Sequence, residues 1–319
     1  MKKTTNIVIA SLAKQSRLLR RLCLLAMTTI FYANLLFAAP IKVVTTLPVL
    51  KNITEEIGGS RVSVQSLAEP NQDAHFVQPK PTFMKKVREA DLFIEVGLEL
   101  ELWAQKVIDS AGNPKVQIGQ PGRVFASVGV PTLEVPQVLS RQLGDVHPYG
   151  NPHIWLDPVL VKKMAKNICK GLIAVDFGGK ASYEKNLKDF QNKIDKALVE
   201  WHKKANKITN KQIITYHRSW SYFAKQFGFE VLGQIEAKPG IPPTPKHRDE
   251  IISLMKESKT KIILTELFYD SVPSEYISKR THAKIVRVPI DVGAIPEAQD
   301  YFSLMTYILD QLSTSQQNT

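Results

Sequence analysis

Cysteine is almost absent: Cys23 and Cys169 are the only two among 319 residues. A disulfide-held scaffold is therefore excluded, and so is a zinc site built from cysteines. The common catalytic signatures are missing too. There is no G-x-S-x-G, no G-x-x-x-x-G-K-S/T, no G-x-G-x-x-G and no H-E-x-x-H. Acidic residues are missing from the first 39 positions, which carry Lys2, Lys3, Lys14, Arg17, Arg20 and Arg21. Beyond them no dense Lys/Arg block occurs, and both signs of charge are interspersed. The formal charge of +12 therefore does not mark a nucleic-acid surface.

That leading segment has an order of its own. After the basic positions comes an apolar run, 22–37, closed by Ala38 and Ala39 before Pro40. Basic, apolar and small segments in this order are those of an export signal. The run of 16 residues falls short of the roughly 20 that a spanning helix needs. An uncleaved anchor is the alternative. Removing 1–39 takes away six positive charges and leaves +6. Cys23 follows Arg20-Arg21-Leu22 instead of an apolar run, so it is not read as a lipidation site. The expected product is periplasmic and not a lipoprotein. Cys169 falls in a helical pattern and reads as a buried thiol.

What is present is an alternation of strands and helices. Hydrophobic residues make up 44%, enough for a large core, and the length suits about two domains. Strands are expected at 41–47, 62–67 and 92–96, with helices at 49–57, 82–90 and 98–110. The stretch 120–152 is rich in Gly and Pro and reads as a long surface loop with room for one or two short strands. A helix over 159–173 is capped by Asp157-Pro158. The apolar positions Tyr183, Leu187, Phe190, Ile194, Leu198, Trp201 and Ala205 are spaced by three or four, which predicts a helix over 181–207, about 40 Å long. Strands at 212–216, 229–234, 262–265 and 285–290 then alternate with helices at 219–227, 246–257, 274–279 and 301–312. The fold class is α/β. Two lobes of parallel βα units, 40–180 and 208–319, are joined by one long rigid helix.

The chemistry lies in the seven histidines. His75 sits in a turn-rich stretch after the second strand, His153 in the turn feeding the 159–173 helix, and His217 directly after the strand 212–216. In parallel α/β sheets ligands bind outside the carboxyl ends of the strands. Glu266 and Asp291 follow later strands and share that placement. Three imidazoles and one carboxylate would make a closed four-ligand site for a divalent transition metal. A lone loop histidine is more often solvated than a ligand, and spacing alone leaves the two readings balanced. His202, His247 and His282 read as surface residues. His147 is a weak or transient ligand candidate, Asp157 a helix cap, and Glu266 an alternative acceptor that orients an imidazole.

Several blocks resemble one family. They are Asp73-Ala74-His75; the stretch from Ala90 to Glu101; Asn151-Pro152-His153-Ile154-Trp155-Leu156-Asp157-Pro158; and Thr215-Tyr216-His217-Arg218-Ser219-Trp220 with Phe227-Gly228. In order, and over the whole chain after Pro40, they are similar to the metal-binding solute-binding proteins of zinc and manganese ABC importers (the cluster A-I proteins). The resemblance implies His75, His153 and His217 as metal ligands and Asp291 as the fourth, with Glu266 or a water as the alternative. It implies an inner-membrane ABC permease as partner, allows a periplasmic metallochaperone, and suggests a monomer that is not an enzyme. Some manganese-type members carry Glu where this chain has His217. Many zinc members have a His-rich loop, but here 120–150 holds only His147. The disulfide some members form in the second lobe has no counterpart. The segment 233–245, with Lys238-Pro239-Gly240-Ile241-Pro242-Pro243, resembles a subgroup loop near the cleft and has no assigned ligand role.

Nitrogen-rich tetrahedral coordination favours Zn2+ over Mn2+. The expectation is a zinc-capturing importer component. The alternatives are a manganese-selective member, a zinc-dependent hydrolase with Glu266 or Asp73 as base, and a surface adhesin on the same fold.

Overall fold

Pro at the first helical turn starts five of the α-helices, and β-branched runs lie between them. In the computed structural model, which describes residues 39–137, 147–238 and 240–317, these signals produce two four-stranded sheets. The expected export signal and Cys23 lie outside the described residues. From residue 41 onward the chain is one compact unit.

The first sheet contains β1 (Ile41–Thr45), β2 (Val62–Ser66), β3 (Leu92–Glu95) and β4 (Arg123–Phe125). Helices α1 (Pro48–Gly58), α2 (Pro81–Arg88) and α3 (Leu102–Ala111) connect them. Its order is β2-β1-β3-β4, with every pairing parallel. Next come α4 (Pro158–Val175) and α5 (Lys180–Asn206). The second sheet holds β5 (Gln212–Thr215), β6 (Glu230–Gln234), β7 (Ile262–Glu266) and β8 (Lys284–Val288). Its helices are α6 (Ser221–Phe227), α7 (Pro245–Ser258), α8 (Val272–Thr281) and α9 (Tyr301–Gln317). The order β6-β5-β7-β8 repeats the first sheet's pattern, again all parallel. Each sheet thus reverses its winding beside its first strand, and a crevice opens at the carboxyl ends there.

The 27-residue α5 buries Tyr183, Phe190, Ile194, Trp201 and Ala205. Asn186 donates to the Ile57 carbonyl of α1, and Trp201 packs on Tyr301 and Phe302 of α9. One helix therefore braces elements that flank both sheets.

Two details depart from the sequence pattern, and one short strand that it allowed for is found. The 98–110 helix begins only at Leu102, because Gly97, Leu98 and Glu99 all adopt positive φ. The Glu101 carboxylate holds that turn by accepting from the Val96 and Gly97 amides. The Gly/Pro-rich stretch supplies β4 as the fourth strand of the first sheet. The last helix runs past Leu312, and Gln316 ties its end to Thr209 and Asn210. Among the described residues no helix is long and apolar enough to cross a membrane. Cys169 is buried, and burial pushes its thiol up to about 11.

Candidate metal centre

Both sheets aim loops at one place. His75 lies in a short turn beyond β2, His153 precedes α4, and His217 follows β5. One ring nitrogen from each of the three falls within 4.8 Å of the others. The ring centroids are 5.2 Å (His75–His153), 5.2 Å (His75–His217) and 5.4 Å (His153–His217) apart. His153 and His217 are buried.

Each ring is held by its Nδ1. Asp73 Oδ1 accepts from the His75 amide at 2.9 Å and faces its Nδ1 at 2.6 Å. Asn151 Oδ1 does the same for His153, at 3.0 and 2.9 Å. An Asx side chain two residues ahead of the histidine thus locks amide and ring together, twice over. His217 has no such neighbour. Its Nδ1 lies 2.5 Å from Oε2 of the buried Glu236, which arrives from the end of β6. Because each acceptor is a carboxylate or an amide oxygen, Nδ1 carries the proton and Nε2 keeps its lone pair. The Gly240 amide donates to the other Glu236 oxygen.

Electrostatics match this arrangement. Burial drives the His153 imidazole well below its ordinary range, with His75, His217 and His147 adding to the effect. Burial opposes ionisation of Asp73, yet its hydrogen bond and attraction to His75 hold the carboxyl below the usual range. His153 is therefore neutral and ready to coordinate at neutral pH.

Asp291 and Glu266 do not belong to that three-residue cluster. Asp291 follows β8 and is buried; burial pushes it up to about 8, offset by the amides of Val292 and Val49. The Trp155 indole, 5.3 Å from the His153 ring, donates to the Ile290 carbonyl at 2.7 Å and ties this segment to the centre. Glu266, at the end of β7, is fully buried and neither carboxylate oxygen has a hydrogen-bond partner among the described residues. Burial pushes it to about 8, and the Asp73 charge adds to that.

The other histidines separate cleanly. His147 Nε2 lies 3.1 Å from His75 Nε2, at the edge of the cluster, and burial lowers its pKa to about 4. His202 is not simply solvated: it contacts Gln226 and packs on Phe227. His247 reaches the Gln234 carbonyl, and His282 ends α8 in the left-handed conformation. Asp157 caps α4 through the Val159 amide.

Residues 43–315 match the family model described as ZnuA, zinc-uptake complex component A, periplasmic. The chain belongs to this family. It is 30% identical over 283 residues to the manganese ABC transporter substrate-binding lipoprotein PsaA of Streptococcus pneumoniae serotype 4, covering 86% of this chain and 88% of that protein. The iron-binding protein YfeA of Yersinia pestis is 26% identical over 284 residues, covering 86% of each. Among solved structures, a crystal structure of ZnuA superposes with a TM-score of 0.73 at 23% identity, over 86% of this chain and 98% of that one. The ZnuA-type fold is thus shared, and the relatives are substrate-binding components of metal ABC transporters.

Sequence reasoning missed Glu236, gave Asn151 no role, and weighed Asp73 only as a base. A signal for two of them was available, since the spacing Asp-x-His recurs as Asn-x-His. For Glu236, 19 residues beyond His217, the signal was only that it lies in 233–245, the segment resembling a loop near the cleft, with no role attached.

Proposed function

We propose that this protein captures one Zn2+ between its two halves and delivers it to an inner-membrane ABC permease. The observation that carries this reading is the cluster of three imidazoles, each with Nδ1 engaged and one ring nitrogen of each within 4.8 Å of the others. A tetrahedral zinc with Zn–N bonds near 2.0–2.1 Å sets its ligands about 3.4 Å apart, so a small inward shift of the rings completes the coordination. His75, His153 and His217 are the nitrogen ligands. Asp291 supplies the fourth, and its charge with the divalent ion leaves the inner shell at +1. Glu266 is the alternative fourth ligand or an outer acceptor. Nitrogen-rich coordination favours zinc over manganese, which prefers more oxygen ligands.

The manganese reading is supported by the names of relatives such as PsaA. His217 argues for zinc over that reading, because it contributes nitrogen where an oxygen ligand would suit manganese. We assign 1–39 to an export signal, 40–180 and 208–319 to the two lobes and 181–207 to the linking helix. The protein acts as a soluble periplasmic monomer without turnover. Lipid attachment at Cys23 is the alternative suggested by relatives named lipoproteins. Fractionating cells with and without Cys23→Ser decides it.

The main test is metal content and affinity of the purified, stripped protein for Zn2+ and Mn2+. One zinc per chain, bound more tightly than manganese and lost in His153→Ala and His217→Ala, is expected. Tighter manganese binding, or no metal at one per chain, refutes the reading.

A further inference from the structure

Glu134 stands outside the metal cluster, yet it touches two of the three segments that carry its ligands, those of His153 and His217. Its Oε2 accepts from Asn151 Nδ2 at 2.9 Å, and Asn151 is the residue that locks His153. Its Oε1 accepts from Ser221 Oγ at 2.7 Å, four residues beyond His217. The same Asn151 amide also donates to the Arg218 carbonyl at 2.6 Å, next to His217. Tyr222 completes the tie: its hydroxyl donates to the Asn151 carbonyl at 2.7 Å and accepts from the Leu133 amide at 3.0 Å.

Glu134 makes these bonds from a left-handed backbone, φ 55°. A non-glycine residue held there costs of order 1 kcal/mol and persists when its surroundings over-determine it. Two hydrogen bonds to the carboxylate and two at the adjacent Leu133, whose amide donates to Tyr222 and whose carbonyl accepts from the Asn151 amide, are that over-determination. The side chain is exposed, so it is not retained for packing.

We propose that Glu134 is a positioning residue for the metal centre. Its carboxylate clamps Asn151, in the first half, to Ser221, in the second, and so fixes the His153–His217 spacing before any ion arrives. This rests on the zinc-site reading for its consequence in binding, but the clamp itself exists without metal. Gln at 134 can keep the bridge: its carbonyl oxygen accepts from Asn151 Nδ2 while its NH2 donates to Ser221 Oγ. Ala cannot.

The experiment compares Glu134→Ala, Glu134→Gln and Ser221→Ala in the full protein, with hydrogen exchange of the metal-free form and Co2+ titration as readouts. Glu134→Ala should speed exchange of the Leu133 and Asn151 amides about tenfold. It should weaken Co2+ binding about tenfold, the low end for an outer-shell partner, and alter the d–d bands. Glu134→Gln should restore all three, and Ser221→Ala should fall between. Unchanged exchange in Glu134→Ala overturns the clamp whatever the metal result. Faster exchange with wild-type Co2+ affinity and spectrum overturns its role in positioning the ligands. If the wild type binds no Co2+ while exchange responds as described, the zinc-site reading fails and the clamp stands.

Discussion

Replacing Glu236 with Gln exchanges one carboxylate oxygen for an NH2 and removes the charge with almost no change in bulk, and its effect on metal affinity follows from two contacts. In the native protein Oε2 faces His217 Nδ1 at 2.5 Å and Oε1 accepts from the Gly240 amide at 2.9 Å. Both partners are N–H donors. Gln offers one acceptor oxygen, so its NH2 must confront one of them. If the NH2 faces His217, the ring loses the group that holds its proton on Nδ1, and Nε2 no longer presents a fixed lone pair. If it faces Gly240, two N–H groups oppose each other and that amide loses its acceptor. In both cases the negative charge that makes the imidazole a stronger donor is gone. Loss of an outer-shell partner weakens metal binding about 10–100-fold, or about 1.4–2.8 kcal/mol. The side chains of both residues are under a tenth exposed, so water cannot substitute. Competition against a chelating dye, with wild type and variant matched for folding by thermal melting, measures the effect. A zinc affinity within twofold of wild type refutes the reasoning.

Other expectations follow from the same geometry. Asp291→Ala should weaken zinc binding more than Glu236→Gln does, and Glu266→Ala less; the reverse ranking transfers the fourth ligand to Glu266. The Asp291 carboxyl, raised to about 8 by burial, must lose its proton to coordinate. Below pH 8, zinc capture should release one proton and apparent affinity should fall about tenfold per pH unit. Calorimetry in buffers of different ionisation enthalpy counts that proton, and none at pH 7 contradicts the assignment. Glu266 is raised from 4.5 to about 8, so the metal-free fold binds its proton more tightly than the unfolded chain does. Its stability should decline from pH 4.5 to 8 and then level. Glu266→Gln should raise the melting temperature at pH 8 but not at pH 5, with a gain bounded at about 5 kcal/mol; equal shifts at both pH values refute it. Trp201→Ala should cost about 3–5 kcal/mol of stability without changing zinc stoichiometry, checked by denaturant unfolding and metal analysis.

Local signals explain what the sequence disclosed about the fold. Proline starts, glycine stops and the spacing of apolar residues are short-range, and they located the strands and helices to within a few residues. The α3 start was illegible because it depends on Glu101 reaching back to two backbone amides, a contact with no periodic trace. The site divides in the same way. His75 and His153 carry their supports two residues upstream, where a reader can find them. The support of His217 comes from another strand. Glu134 bridges residues 87 positions away, which no spacing rule anticipates.

The distances along the chain have one more consequence, for the timing of capture. The Tyr269 hydroxyl reaches Asp73 across 196 residues, and the Trp155 indole reaches Ile290 across 135. A polypeptide still being made or threaded through a membrane displays only scattered histidines, each a weak ligand. The three imidazoles come together only when the segment after β5 docks beside those that carry His75 and His153, so the grouping depends on contacts between parts of the chain far apart in sequence. Fragments and stalled chains therefore compete poorly for scarce metal.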